Sequence, residues 1–319
     1  MKMTPEKYLL SRICPIVLGI WCFGTMLFQN AFSYENLEVD FSAPFLASEF
    51  EALFISEELN NRNVARFYKN RSFKPFWYGY RDRINEFNNA VERSASHGLP
   101  STNYEFLFGS ENLSPYEFEL LAMDSFILLV SDLKSGILSP SEVDSAISVY
   151  PAEIDMDVIF VGLEKLVFGK NSITDYIFSF TPKDAEYDKL LIELARLRDI
   201  ARRNQWGKPV PVDKFLGYNL RHSNVSVLRS RLFKMGYLTF DSGSDLYDEE
   251  VKSAVQLFQA DHGLNDDGVA GNYTLQAMNI SAKTRLIQIL VNLERLRWSD
   301  FKSDSKYIIH EQEFSECNN

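Results

Sequence analysis

Cysteine is almost missing from this chain: three in 319 residues, Cys14 and Cys22 near the start and Cys317 near the end, with none between Cys22 and Cys317. That excludes a disulfide framework and a cysteine zinc site. Cysteine avoidance also suits an oxidising compartment. Basic charge is short as well, with 33 Lys and Arg against 44 Asp and Glu and a net charge of -11. An acidic chain with no basic run lacks the clustered cations that displace counterions from phosphates, so nucleic acid is not an expected partner. The same shortage argues against docking on anionic lipid. Alternating strand patterns are scarce. There is no internal repeat, no Gly-rich phosphate loop, no nucleophile elbow and no His-Glu-x-x-His pair. No cofactor and no metal site is expected.

Long apolar runs are also absent, with one exception. Residues Ile13 to Phe28 are uncharged and mostly apolar, about the length of a signal h-region and short for a spanning helix. Lys2, Lys7 and Arg12 precede them as a positive n-region, and Ala31-Phe32-Ser33 offers small residues for cleavage before Tyr34. Trp21 before Cys22 does not suit a lipoprotein signal. Residues 1–33 are therefore expected to be a signal peptide or an uncleaved inner-membrane anchor, and the protein to be periplasmic, secreted or anchored to the inner membrane.

Beyond this segment the chain is helical in pattern, and a mainly α fold is expected. Ser114-Pro115-Tyr116-Glu117, Ser139-Pro140-Ser141-Glu142 and Thr181-Pro182-Lys183-Asp184 each offer a hydroxyl at N-cap, proline at N1 and an acid at N3. The helix through Phe126 and Leu133 should stop at Gly136. Tyr187, Leu190, Leu191 and Leu194 share one helical face. Residues 34–204 are expected to form a helical domain, and 205–220, broken by Gly207, Pro209 and Pro211, a linker. Past that linker, Val225, Leu228, Leu232 and Met235 mark a helix closed by Gly236. Asp248 caps another with Val251, Ala254, Val255 and Phe258 on one face. A loop from Gly263 to Gly268 leads to a short helix from about Tyr273 to Met278. Ser281 caps a last helix with Leu286, Ile289, Leu290 and Leu293 aligned.

Two constellations invite a sharper reading and have a plainer one. Glu153, Asp155 and Asp157 alternate like a metal or acid pair, but a solvated acidic edge accounts for them. Phe73 to Tyr80 is rich in aromatic rings that could stack on sugars, although buried packing is their commoner fate.

The region 221–280 carries the most specific pattern. Val227 to Leu232, Gly236-Tyr237-Leu238, Tyr247-Asp248, Val251 to Val255, Phe258-Gln259, Asp261 to Leu264, Asp267 to Gly271 and Thr274-Leu275 resemble the three-helix peptidoglycan-binding domain of bacterial wall enzymes. That resemblance implies a shallow groove for peptidoglycan, either glycan strand or stem peptide. Gln259, His262, Asp267, Gly268 and Thr274 are its candidate contacts. Each also has a structural reading: His262 can hydrogen-bond a helix end, and Asp267 can order the turn before the third helix. Asn265-Asp266-Asp267-Gly268 lacks the spaced oxygens and terminal Glu of a calcium loop.

The wider chain resembles the front part of the periplasmic L,D-transpeptidases of Gram-negative bacteria. Pro75-Phe76-Trp77, His97-Gly98-Leu99, Tyr104, Asp132-Leu133, Gly136 and Tyr187 through Leu197 carry the likeness to their helical scaffold domain. Asn292 to Trp298 looks like the helix leading to their catalytic domain, with Tyr307-Ile308-Ile309 where a first strand would begin. Residues 281–319 are read as that helix and a tail, with the likeness stopping at His310, before the catalytic domain. The family's nucleophile is a cysteine in a Ser-x-Gly-Cys or His-Gly-Cys context. Cys317 follows Ser315-Glu316, and an acidic neighbour raises a thiol pKa. No catalytic residue is assigned. The resulting expectation is a non-catalytic, wall-binding remnant of an L,D-transpeptidase. The alternatives are a wall hydrolase with an unrecognised site, or a scaffold for a partner wall enzyme.

Overall fold

The computed structural model describes residues 44–55, 62–105, 113–143, 147, 149–151, 153–168, 172–203 and 206–298. The expectations for the signal segment, Tyr307 to Ile309, His310 and the three cysteines lie outside the described residues. Among those described, the chain is mainly α-helical and no strand is formed. The helices are α1 (Ala47–Ile55), α2 (Arg62–Asn70), α3 (Arg81–Ser94), α4 (Pro115–Ser135), α5 (Pro140–Val143), α6 (Met156–Phe168), α7 (Ile173–Phe178), α8 (Ala185–Arg203), α9 (Ser223–Met235), α10 (Glu249–Asp261), α11 (Asn272–Asn279) and α12 (Ala282–Trp298). None is long and apolar enough to cross a membrane. The described residues of 41–191 and 291–319 form one compact unit, and those of 192–290 another.

Local chemistry sets most helix limits. Ser114 accepts from the Glu117 amide while Glu117 reaches back to the Ser114 amide, completing the expected capping box of α4. Two orphan donors are thereby satisfied at once. Gly136 ends α4 with φ +85°. A Cβ there would lie 2.5 Å from Glu294 Oε1 and 2.8 Å from Trp298 Nε1, so the glycine also makes room for α12. One start differs from expectation. Helix α8 begins at Ala185, not at Pro182. Asp184 takes the cap role, accepting from the Glu186 amide at 2.6 Å, while the Thr181 hydroxyl donates to the Phe178 carbonyl. Two caps compete within four residues, and the carboxylate wins because an ionised acceptor binds an amide more strongly than a hydroxyl does.

The larger unit is organised around one buried acid. Glu119, on α4, is fully buried. It accepts from the Tyr68 hydroxyl at 2.6 Å and from three consecutive backbone amides, Phe76 at 2.6 Å, Trp77 at 3.0 Å and Tyr78 at 2.7 Å. Burial pushes its carboxyl pKa above the ordinary value, and these four donors offset only part of that rise. The aromatic run from Phe73 to Tyr80 is thus pinned from beneath, with Phe76, Trp77 and Tyr78 buried against Phe67, Phe87, Phe118 and Phe126. Buried packing accounts for Phe76, Trp77 and Tyr78, whereas Tyr80 is exposed beneath the Arg83 guanidinium.

The last two turns of α12 belong to this unit. Leu293, Glu294, Arg297 and Trp298 are buried. Glu294 Oε1 accepts from the Leu138 amide at 2.7 Å. The Arg297 guanidinium donates to the His97 carbonyl, to the Tyr187 hydroxyl and to Glu294. Residues 291–298 are thus held inside the larger unit. His97 is stacked on Phe178 at 4.6 Å, with Nδ1 3.2 Å from the Tyr187 hydroxyl. Burial, with the charge of Arg297 close by, lowers its pKa to about 4.

The acidic trio is divided among structural tasks. Asp155 caps α6 through the Asp157 and Val158 amides. Asp157 pairs with Arg66, and the Glu153 carbonyl accepts from Lys134.

Candidate functional site

The smaller unit packs Val225, Leu228 and Leu232 of α9 against Val251, Ala254, Val255 and Phe258 of α10 and Leu275 and Met278 of α11. These are the faces that the apolar spacing marks. Asp248 caps α10 by accepting from the Val251 amide at 3.0 Å, and holds the buried Arg229 guanidinium on its other oxygen. Gly236 closes α9 at φ +91°, where a side chain is disfavoured.

Residues 205–220, expected to be a linker, are part of this core in two places. Val210 and Leu216 are buried in it. Leu216 and Ala270 exchange backbone hydrogen bonds of 3.2 and 2.8 Å in an antiparallel bridge. Glycine and proline disrupt helical spacing here because the chain is extended. Arg231 binds both flanks of the unit, donating to the Trp206 carbonyl at 3.2 Å and the Met278 carbonyl at 2.9 Å. Asn279 adds a two-way pairing with the Val210 backbone at 2.8 and 2.7 Å.

Four of the five candidate residues meet in one network. Gln259 is 2% exposed. Its amide nitrogen donates to Asp267 Oδ1 at 3.0 Å, the Val269 carbonyl at 3.1 Å and the Thr274 hydroxyl oxygen at 3.1 Å. Its carbonyl oxygen accepts from the Gly268 amide at 2.8 Å. Asp267 also accepts from the Val269 amide at 2.8 Å and from Asn265 at 3.1 Å. These bonds, that of Val269 foremost, hold its carboxyl below the usual range. Gly268 turns the chain at φ +71°, and a Cβ there would sit 2.8 Å from Lys252 Cγ. Gln259, Gly268 and Thr274 are buried, whereas Asp267 presents its carboxylate to solvent.

His262 stands apart from that network. Its Nδ1–H donates to the Phe258 carbonyl at 2.8 Å, and its ring stacks on Phe258 at 3.9 Å. Burial lowers its pKa, so the ring is neutral near pH 7 with Nε2 as an acceptor.

A group of exposed apolar side chains escapes the sequence reading. Phe215 is 70% exposed, Tyr218 54% and Tyr273 78%, with Val269 also exposed. All four lie beside the Leu216–Ala270 bridge or within two or three residues of it. They carry no periodic signal, because they sit on an extended segment, a turn and a helix start. Strand alternation about the buried Leu216 would have pointed to Phe215.

A family model described as a Scaffold domain matches residues 62–194, and one described as a peptidoglycan binding domain matches residues 221–278. No curated protein matches the chain. The two matches fit a cell-wall-associated protein, and the second supports wall binding with peptidoglycan as the partner.

Proposed function

We propose that this chain is an exported protein that binds peptidoglycan through residues 221–280, built like the leading portion of an L,D-transpeptidase and not itself a cross-linking enzyme. The observation that supports it most is the ordered loop from Gly263 to Gly271, held by Gln259 inside the region that matches a peptidoglycan binding domain. In this reading Asp267 and His262, which keep polar atoms outward, face the ligand. Gln259, Gly268 and Thr274 are positioning residues that fix the loop. The likeness to L,D-transpeptidases rests on the residues from Pro75 to Leu197 and on Asn292 to Trp298, and the match to a Scaffold domain is in keeping with it. Export rests on the positive, then apolar, N-terminus.

The absence of transpeptidation rests on cysteine context. Cys14, Cys22 and Cys317 follow Ile13, Trp21 and Glu316, and none has the glycine that precedes the family's nucleophile. Acyl transfer needs a thiolate with a base and oxyanion donors held in place.

The full chain should co-sediment with purified peptidoglycan. Recovery no greater than that of an unrelated acidic protein would remove the binding reading. After expression in a Gram-negative host it should fractionate with the periplasm or inner membrane, and an intact N-terminus on cytoplasmic protein would remove export. A carbapenem should leave no covalent adduct, and an adduct on Cys317 would reverse the catalytic reading.

A further inference from the structure

The outer face of the Leu216–Ala270 bridge has an unusual make-up. In an antiparallel pair, residues flanking an inward position point outward. Leu216 and Ala270 are fully buried, so Phe215 and Gly217 of one segment and Val269 and Gly271 of the other share the outward face. The two glycines leave its floor bare. Phe215 lies across one of them, with Cε1 3.2 Å from where a Gly271 Cβ would be, and nothing comes within 4 Å of a Cβ on Gly217. Tyr218 follows Gly217 and carries the Lys252 ammonium 5.5 Å from its ring centre. Tyr273 follows Gly271 by two residues. The result is a shallow shelf of aromatic and apolar surface over a glycine floor. Scattered exposed apolar residues are ordinary, but exposed side chains gathered within three residues of one short bridge mark a contact surface.

From this we infer that the shelf binds the glycan backbone of peptidoglycan, with sugar rings lying on Phe215 and Tyr273, and that the stem peptide is not what it recognises. The inference rests on the proposed wall binding and names the part of the polymer held. Aromatic faces suit the apolar C–H faces of pyranose rings, and the tyrosine hydroxyls suit their polar edges. Charge decides against the stem peptide, which carries free carboxylates. Lys252 is already paired with Glu249 at 3.1 Å and covers Tyr218. The segments that carry the shelf add Lys214 against Asp213, Asp266 and Asp267, an acidic balance that repels an anionic peptide.

The test uses the full chain, intact peptidoglycan, and glycan strands stripped of stem peptide by an amidase, with the lactyl carboxylates that cleavage exposes converted to methyl amides so that the strands carry no new charge. Wild type should bind both polymers, with little dependence on salt. Phe215→Ala with Tyr273→Ala should weaken both by about tenfold, as loss of central aromatic anchors does, with the thermal midpoint unchanged. Free stem peptide should not compete. Should the double variant lose its thermal transition, Tyr273→Ala alone, at a solvent-exposed ring, should still weaken binding to stripped glycan. Binding to intact wall but not to stripped glycan would overturn the inference and leave wall binding standing, as would full binding by the folded variant. Failure of wild type to bind intact wall would remove the reading beneath it, and the inference with it.

Discussion

Glu119 in the larger unit and Gln259 in the smaller one both hold a loop in place from a buried position on a helix, with opposite chemistry. The groups facing Glu119 are all donors: three successive amides of the loop and the Tyr68 phenol of α2. A carboxylate accepts all of them and needs to donate nothing. The groups facing Gln259 are one amide, from Gly268, and otherwise oxygens: the Asp267 carboxylate and Val269 carbonyl of the loop and the Thr274 hydroxyl of α11. Only a side chain that donates and accepts can serve them. The buried residue is thus selected by the polarity of the backbone it faces.

Breaking the charged case should cost most. Glu119→Ala strands three buried amides and the Tyr68 hydroxyl, and a loss of about 3–5 kcal/mol is expected in the larger unit. Hydrogen exchange at Phe76, Trp77 and Tyr78 should report it while the amides of Gly268 and Val269 stay protected. Breaking the neutral case should cost about 2–3 kcal/mol: Gln259→Leu leaves the Gly268 amide and the Val269 carbonyl without their partner. Exchange should then rise at 263–271 alone. Gln259→Glu sharpens the comparison, since a carboxylate there faces Asp267. It should destabilise more at pH 7 than at pH 4, where protonation restores a donor.

A smaller effect is expected at the turn itself. Gly268→Ala forces a side chain to φ +71° and against Lys252, at about 1 kcal/mol, read as a lowered thermal midpoint of the smaller unit. A reversible probe is acid. The unfolded chain protonates His97 near the ordinary value of 6.5, and the folded one only at about 4. The stabilisation is therefore complete above about pH 6.5 and is lost as pH falls toward 4. His97→Gln should flatten this slope in the larger unit, measured by denaturant titration at several pH values.

Legibility followed the range of the interaction. The Ser114 box, the Asp248 cap, the Gly136 and Gly236 stops and the apolar face of α10 are all settled within four residues, and the sequence displays them. The role of Glu119 depends on amides 41 to 43 positions away, and nothing near it in the chain announces them. Leu216 was hidden for a related reason, since its partner Ala270 lies across the unit and proline and glycine nearby resemble a linker. In the candidate site, Gln259 and Thr274 could be named as a pair with the loop, but their burial could not be read from spacing. The start of α8 shows a local failure, in which Thr181 and Asp184 offered rival caps and only geometry separates them.

The guanidinium of Arg231 has a mechanical consequence. From α9 it grips the chain at Trp206, ahead of the three helices, and at Met278, near the end of the third, while Asn279 ties the same two stretches through Val210. The two ends are joined side by side. Tension pulling on the polypeptide from either direction meets the Val210–Asn279 pairing first, with Arg231 of α9 sharing the load, before it reaches the packing among the three helices. The helices are then shielded, as a loop in a rope is slack while the knot at its neck carries the load. Arg231→Met would transfer that load to the packing of α9 against α10, and stretching single molecules should show this unit yielding at lower force.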